Sequence, residues 1–141
     1  MNAKYNAVHF GVKITISDEN LIHLMYPPDI DFGLKQAKRV DKVIIEQLGS
    51  ENYSLIVDLT DSFGSMTKEA QKFFAQDAPS IPQITASAII VNNLPIRILA
   101  KFYLNFFKPR YPTKIFPSLE PAKIWLNSIE DKDANHALNV G

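Results

Sequence analysis

The tetrapeptide Asp61-Ser62-Phe63-Gly64 carries the residue types in this 141-residue chain that most resemble a chemical motif. A serine directly after an aspartate, in a loop that follows a buried strand, suits a phosphorylation switch, because a phosphate adds charge and strong acceptors. A phosphoserine is stabilised by the free amides and dipole of a helix N-terminus. The best N-cap nearby is Thr67, further along the chain. Two interpretations therefore stay open: a phosphoacceptor loop at Asp61, Ser62 and Gly64, or an ordinary strand-to-helix connection.

Other side chains that could support catalysis are few. The histidines are His9, His23 and His136, and the chain has no cysteine. Their spacing shows no acid–histidine–nucleophile set, and the glycines are too dispersed for a phosphate-binding loop. Asp58 and Asp61 lack a nearby third carboxylate or histidine to complete a metal site. We therefore expect no enzymatic activity, no metal and no cofactor.

Composition and charge restrict the classes of protein further. Fifteen basic residues balance fifteen acidic ones, so the formal net charge is zero and bulk nucleic-acid binding is not favoured. The length suits one domain that needs no disulfide or metal to fold. The polar N-terminus does not resemble a signal peptide, and the apolar stretches are too short to span a membrane. We expect a cytoplasmic protein with neither nucleic-acid nor integral-membrane function.

Hydrophobic periodicity predicts alternating strands and helices. Alternation over 8–26 predicts a hairpin in which Ile16 faces Ile22 and Ile14 faces Leu24, with Asn20 in a left-handed position of the loop. Helical spacing and caps predict the later helices, whereas short apolar runs predict buried strands. Helices are expected over 31–49, 68–78, 94–108 and 118–129, and strands over 53–59, 84–91 and 113–116.

The predicted element order is β-β-α-β-α-β-α-β-α. A hairpin followed by strand–helix alternation indicates an α/β fold with a single mixed, mostly parallel β-sheet and packed helices. Residues 8–130 form the expected domain. Residues 1–7 are expected to form an N-terminal tail and 131–141 a frayed C-terminal tail, since both are polar.

The helix over 94–108 has more apolar side chains than contact with one sheet requires. Arg97 and Lys101 lie on one stripe, and the face opposite that stripe is predicted to contact the core. That face carries Ile98, Leu99, Phe102, Tyr103 and Phe106. Leu104 and Phe107 extend the apolar arc, which leaves deep burial, a homodimer interface or contact with lipid as alternatives. The candidate ligand or dimer surface is therefore Arg97, Lys101, Leu104 and Phe107.

The element order resembles the STAS domain, the fold of SpoIIAA-like anti-sigma-factor antagonists, over about residues 8–130. The stretches "SAIIVNNLPIRILAKFYLNF" and "IFPSLEPAKIWLNSI" are similar to a bacterial SpoIIAA-like group related to lipid-binding Sec14-type proteins. In signalling STAS proteins, a partner kinase phosphorylates the serine of an Asp-Ser-Ser/Thr-Gly motif. Asp61, Ser62 and Gly64 match that motif, whereas Phe63 and the distance to the next helix depart from it.

The resemblance implies a non-enzymatic protein-interaction or regulatory module, which acts through the loop at 58–66. The apolar excess of the 94–108 helix separately predicts a homodimer. The alternative is a carrier or sensor of a small apolar or amphipathic ligand bound near the 94–108 helix. A well-formed apolar cavity lined by Phe102, Tyr103 and Phe106 would favour the carrier, and a filled core the interaction module.

Overall fold

The computed structural model describes residues 3–28, 31–60, 62 and 65–140. Its strands are β1 (Ala3–His9), β2 (Val12–Ser17), β3 (Leu21–Met25), β4 (Asp31–Phe32), β5 (Tyr53–Asp58), β6 (Ser65–Met66), β7 (Ile84–Ile90) and β8 (Thr113–Phe116). Its helices are α1 (Leu34–Leu48), α2 (Lys68–Lys72), α3 (Leu94–Phe107) and α4 (Leu119–Val140). A π-helical turn, Phe73–Asp77, continues α2, and a 3-10 turn, Ile81–Gln83, precedes β7.

Six strands form one mixed sheet in the described part of the chain, in the order β1-β2-β3-β5-β7-β8. The pairs β1–β2 and β2–β3 are antiparallel, and the pairs from β3 to β8 are parallel. The short strands β4 and β6 pair apart from this sheet. The predicted α/β class, with a mostly parallel sheet and packed helices, is confirmed. None of the described helices combines the length and apolar character that crossing a membrane requires.

The predicted hairpin register between β2 and β3 is confirmed. Ile16 lies opposite Ile22 and Ile14 opposite Leu24, so apolar side chains meet across the pair. Asn20 has a φ of 59°, the left-handed conformation expected of it. A slip by one residue would move these side chains to the other face of the sheet, which explains why the hydrophobic pattern defines the register.

The amino-terminal prediction is wrong, because residues 3–7 belong to strand β1 and not to a tail. The strand expected from residue 8 onward breaks at Phe10 and Gly11, whose φ angles are 52° and 80°. These residues connect His9 and Val12, which face each other in the β1–β2 pair. A two-residue turn with two positive φ angles matches the twist of the strands. Phenylalanine seldom adopts this conformation, so the Phe-Gly pair is a weak turn signal.

Residues 131–140, predicted to form a frayed carboxyl-terminal tail, belong to helix α4, which runs from Leu119 to Val140. Polar composition favours a frayed tail, but no proline or glycine interrupts the chain from Ala122 to Val140. Without a helix breaker the backbone hydrogen bonds continue. The earlier turns of α4 pack on the sheet through Ala122 and Leu126.

Two hydrophobic layers lie on opposite faces of the sheet. On one face, α1 and the α2 region cover β2, β3 and β5, and α3 covers Ile89 and Val91 near β7. On the other face, α4 covers Ile56, Ala88 and Ile90. Neighbouring residues of a strand point to opposite faces, so Val57 belongs to the α3 side and Asp58 to the α4 side. The α3 side also contains the cavity described next.

Candidate ligand-binding cavity

A cavity of about 430 Å³ lies between the sheet, α1, the α2 region and α3. Its floor includes Leu55 and Val57 of the central strand β5 and Ile89 of β7. Val57 is partly exposed although β5 is flanked by β3 and β7, as expected for a side chain that faces a cavity. The lining also includes the aromatic residues Tyr26, Phe32, Tyr53, Phe74, Phe102, Tyr103, Phe106, Phe107 and Tyr111.

Helix α3 is rotated relative to the orientation predicted from its sequence. Ile96 and Ala100 are buried, and Leu104 and Phe107 are partly buried on the same side. The face opposite the basic stripe, which was predicted to contact the core, is instead exposed to solvent, since four of its side chains are more than half exposed. These are Ile98 (57%), Leu99 (61%), Phe102 (59%) and Phe106 (64%). Because almost every arc of this helix is apolar except the basic stripe, periodicity could not select the buried one.

The proposed surface of Arg97, Lys101, Leu104 and Phe107 is therefore divided between two environments. Arg97 and Lys101 are exposed, whereas Leu104 packs inward against the α3 side of the core. Phe107 lines the cavity. Phe107 is therefore positioned to contact a ligand in the cavity, whereas Arg97 and Lys101 lie at the surface of α3 and do not line the cavity.

The cavity opens to the surface beside α3. Leu99, Phe102 and Phe106 line it and are also exposed. The rings of Phe102 and Phe106 stack with centroids 5.6 Å apart, and Phe106 meets Phe107 edge-on at 4.9 Å. Phe102, Tyr103 and Phe106, the residues whose cavity would favour a carrier, are all among the lining residues, and the exposed rings of Phe102 and Phe106 form an apolar mouth to the cavity.

The inner end of the cavity carries a polar group of three residues, Asp41 of α1, Tyr53 of β5 and Ser80. The Ser80 hydroxyl donates to Oδ1 of Asp41 at 2.5 Å. Because the Ser80 hydroxyl has only one proton to donate, Ser80 Oγ accepts a hydrogen bond from the Tyr53 hydroxyl at 2.6 Å. Burial raises the pKa of the Asp41 carboxyl, although the hydrogen bonds from Ser80 act to lower it.

The tyrosines of the cavity remain protonated donors at neutral pH. Burial raises the pKa of Tyr103 to about 12 and moves the pKa of Tyr53 and Tyr111 upward as well. The Tyr111 hydroxyl donates to the Phe74 carbonyl at 2.7 Å. The lining therefore offers neutral hydroxyl groups and one buried carboxyl group to a ligand.

The polar group around Asp41 was missed in the sequence, although the helical pattern contained a signal. Asp41 lies four residues after Ala37 and three before Ile44, within the apolar stripe of α1. A charged residue at a core position of an amphipathic helix indicates a buried polar contact. Tyr53 and Ser80 come from distant parts of the chain, and no local pattern joins them to Asp41.

Ser62 is buried, and its hydroxyl donates to the Pro27 carbonyl at 3.3 Å. Its amide donates to the Leu59 carbonyl at 3.0 Å. Asp61 and Gly64, the other members of the predicted phosphoacceptor motif, lie outside the described residues. In this conformation the Ser62 hydroxyl is not accessible to a kinase, so phosphorylation would require the loop to open.

A second buried carboxylate, Asp58, lies on the opposite face of the sheet. His23 Nε2 is 2.8 Å from Asp58 Oδ2, and the Thr60 amide donates to Oδ1 at 2.9 Å. Burial alone would raise the pKa of Asp58, but the contacts with Thr60 and His23 hold it below its ordinary value. Across the described part of the chain, no three histidine, cysteine or acidic side chains are grouped to hold a metal ion.

Comparison with solved structures identifies the fold class. A crystal structure of an uncharacterized DUF3478-family protein with a SpoIIAA-like fold, from Shewanella loihica PV-4, covers 89% of this chain and 98% of its own. Its TM-score is 0.55 at 13% sequence identity. A protein of unknown function from Arthrobacter sp. FB24 covers 81% of this chain and 97% of its own, at 21% identity and a TM-score of 0.29. The first likeness supports the predicted SpoIIAA-like fold.

The sequence also identifies the family. Residues 14–130 match a family described as a domain of unknown function (DUF7793), and the chain belongs to that family. No curated protein matches the chain.

Proposed function

We propose that this protein is a cytoplasmic, non-enzymatic carrier or sensor of a small apolar or amphipathic ligand. The cavity of about 430 Å³ beneath α3 is the observation that supports this function. Its volume falls in the range typical of small-molecule sites, which are mostly apolar with a few convergent polar groups. The lining follows that pattern, with aromatic and aliphatic walls and a polar inner end at Asp41, Tyr53 and Ser80.

The size of the cavity supports a ligand because protein interiors are close-packed and contain few voids larger than a water molecule. The cavity opens to the surface beside α3, so water can occupy it when no ligand is bound. A ligand with an apolar body would displace that water and remove apolar lining from solvent, which is favourable by roughly 25 cal/mol per Å².

The test uses N-phenyl-1-naphthylamine, a neutral probe whose fluorescence rises in apolar surroundings. We expect the unmodified protein to enhance its fluorescence and octan-1-ol to displace it. Val57→Phe places a larger side chain on the cavity floor and should abolish the enhancement. Val57 lies on the sheet against the inner side of α3 and not on its exposed face, so this variant separates binding inside the cavity from adsorption to that face.

The matched control is Val8→Phe, which makes the same substitution at an exposed position of β1 outside the cavity. It should retain full probe binding. Equal probe signals from the two variants, or no signal from the unmodified protein, would contradict the proposed function. Circular dichroism of both variants shows whether each remains folded.

A second candidate function, the STAS-type interaction module, is favoured by the exposed apolar side chains of α3. We define the α3 strip as Leu94, Ile98, Leu99, Phe102 and Phe106, each more than half exposed. Apolar patches of this kind are uncommon on soluble monomers. A two-fold homodimer hides such a patch, because the same surface contacts itself. Arg97 and Lys101 lie on a separate stripe and would remain hydrated at the edge of that interface.

A further inference from the structure

Asp41 is a buried carboxylate without a cationic partner among the described side chains. It is 3% exposed and lines the cavity. Its hydrogen-bond partner, Ser80, is neutral, and Ser80 is in turn bonded to the neutral Tyr53. The ion pairs of the described residues involve Asp58 and Asp77, not Asp41. Ionised carboxylates are seldom buried unless they are paired, so Asp41 needs an explanation beyond packing.

Contact with Ser80 explains why a polar side chain is tolerated at position 41 but not why that side chain is an acid. Ser80 donates to Asp41 from its hydroxyl and from its backbone amide, and the amide oxygen of an asparagine could also accept from Ser80 without the cost of burying an ionisable group. Burial raises the pKa of Asp41, because removal from water disfavours its ionised form. A cation that enters the cavity would supply the missing charge.

The remaining lining is also suited to a cation with an apolar body. Aromatic faces attract ammonium groups, and the attraction is strongest where water is excluded. Tyr53 lies beside the carboxylate, and Tyr26 and Tyr111 belong to the same cavity. Lys68 is the basic residue among the described lining residues, and it is exposed at the start of α2. The inner end is therefore acidic and aromatic, whereas the mouth is apolar.

We propose that the cavity binds an amphipathic amine, with its protonated nitrogen at the Asp41 carboxylate and its apolar body directed toward Phe102, Phe106 and Phe107. Ser80 and Tyr53 hold the carboxylate in place through their hydrogen bonds. This inference rests on the proposed ligand-binding function and specifies the ligand's polar head.

Three probes with the same alkyl chain test the head group: octylamine, which is protonated at neutral pH, octan-1-ol and octanoate. Calorimetry of the unmodified protein should show octylamine binding about 10- to 100-fold tighter than octan-1-ol, as expected for hydrogen bonds to a charged group. Octanoate should bind more weakly than octan-1-ol. This comparison requires no variant, so it remains decisive even if a substitution prevents folding.

Asp41→Asn keeps the shape and an acceptor for Ser80 while removing the charge. The variant should bind octylamine and octan-1-ol with similar affinity. Asp58→Asn, at a buried carboxylate outside the cavity, should keep the preference for octylamine. An unchanged preference in Asp41→Asn would overturn the inference, and an equal loss of affinity for all probes would assign Asp41 a purely structural role.

The outcomes distinguish the proposed amine site from the ligand-binding function on which it rests. Binding of octan-1-ol without a preference for octylamine would refute the amine site and leave the apolar carrier intact. Failure of all three octyl probes and of the naphthylamine probe to bind would refute both.

Discussion

Asp41 and Asp58 are buried carboxylates whose pKa values shift in opposite directions. Asp41 faces an apolar cavity, and burial raises its pKa; Asp58 accepts hydrogen bonds from Thr60 and His23 that outweigh burial and lower its pKa. A carboxyl whose pKa is raised in the folded protein lowers the free energy of unfolding once the pH exceeds the ordinary value of 3.8. A carboxyl whose pKa is lowered in the folded protein raises the free energy of unfolding above the same pH. Residue by residue, the two aspartates should therefore affect stability with opposite signs.

Asp41→Asn should increase the free energy of unfolding at pH 7 in the absence of ligand. The unmodified protein loses stability as the pH rises from below 3.8 through the raised pKa of Asp41, because ionisation is easier in the unfolded chain. The variant has no such loss. Urea denaturation at pH 7 and near pH 3 measures the difference, which should disappear at the lower pH. A variant less stable than the parent by the same amount at both values would contradict this account.

Asp58→Asn should decrease the free energy of unfolding at pH 7 by about 1–3 kcal/mol, the cost of disrupting a buried hydrogen-bond group. The difference should shrink as the pH falls from 3.8 through the lowered pKa of Asp58, since the parent then also loses its carboxylate. His23 and Thr60 are the described groups that contact this carboxylate. Urea denaturation between pH 2 and 7 follows both proteins.

Asp77→Asn provides the control for the Asp58 variant. Asp77 forms an exposed ion pair with Lys72 at 3.9 Å. Surface pairs contribute little, so its substitution should change stability by less than about 0.5 kcal/mol. If Asp77→Asn were as destabilising as Asp58→Asn, burial and hydrogen bonding could not be the cause.

At the scale of single elements, the β1–β2 turn stores local strain. Phe10 has a φ of 52° and is partly exposed, so it adopts a left-handed conformation without a buried contact that requires its ring. Phe10→Asn should raise the free energy of unfolding by roughly 1 kcal/mol, because asparagine tolerates this conformation and Asn-Gly favours such turns. Urea denaturation measures the gain. Phe10→Ala is the control and should give no gain, since alanine removes the ring without easing the backbone.

The α3 strip allows a test of assembly that leaves the cavity unchanged. Ile98 is exposed and does not line the cavity, so Ile98→Glu should convert the proposed homodimer into a folded monomer. The same substitution at Ile124, which is 69% exposed on α4, should leave the dimer intact. Sedimentation velocity measures both. Unmodified protein that is already monomeric at high micromolar concentration would refute the homodimer.

At the scale of the whole molecule, a ligand that binds the folded state shifts the unfolding equilibrium. Octylamine at 100 times its dissociation constant should stabilise the protein by about 2.7 kcal/mol, independent of which contacts it makes. Scanning calorimetry should show a rise in melting temperature that grows with ligand concentration. Val57→Phe should abolish the rise, and Val8→Phe should retain it. A rise of the same size in both variants would place the ligand outside the cavity.

Much of the fold could be predicted from the sequence because its signals are local. The alternation in β2 and β3 defines their register, and Thr67 and Gly49 mark helix ends that the structure confirms. Turn and end signals failed where the local preference was weak. Phe10 occupies a conformation that phenylalanine seldom adopts, and the last turns of α4 have polar composition without a helix breaker.

The candidate site depended on tertiary structure for two physical reasons. Periodicity selects a buried arc only when the other arcs of a helix are polar, and the apolar arcs of α3 gave no such contrast. Packing of α3 against Ile89, β8 and α2 instead decided that Phe107 faces inward and Phe102 outward. Asp41, Tyr53 and Ser80 are separated along the chain and meet through the arrangement of α1, β5 and the loop before β7. The sequence alone determined the α/β architecture, while the tertiary structure decided where space remains inside it, because a cavity is a property of how elements fit together.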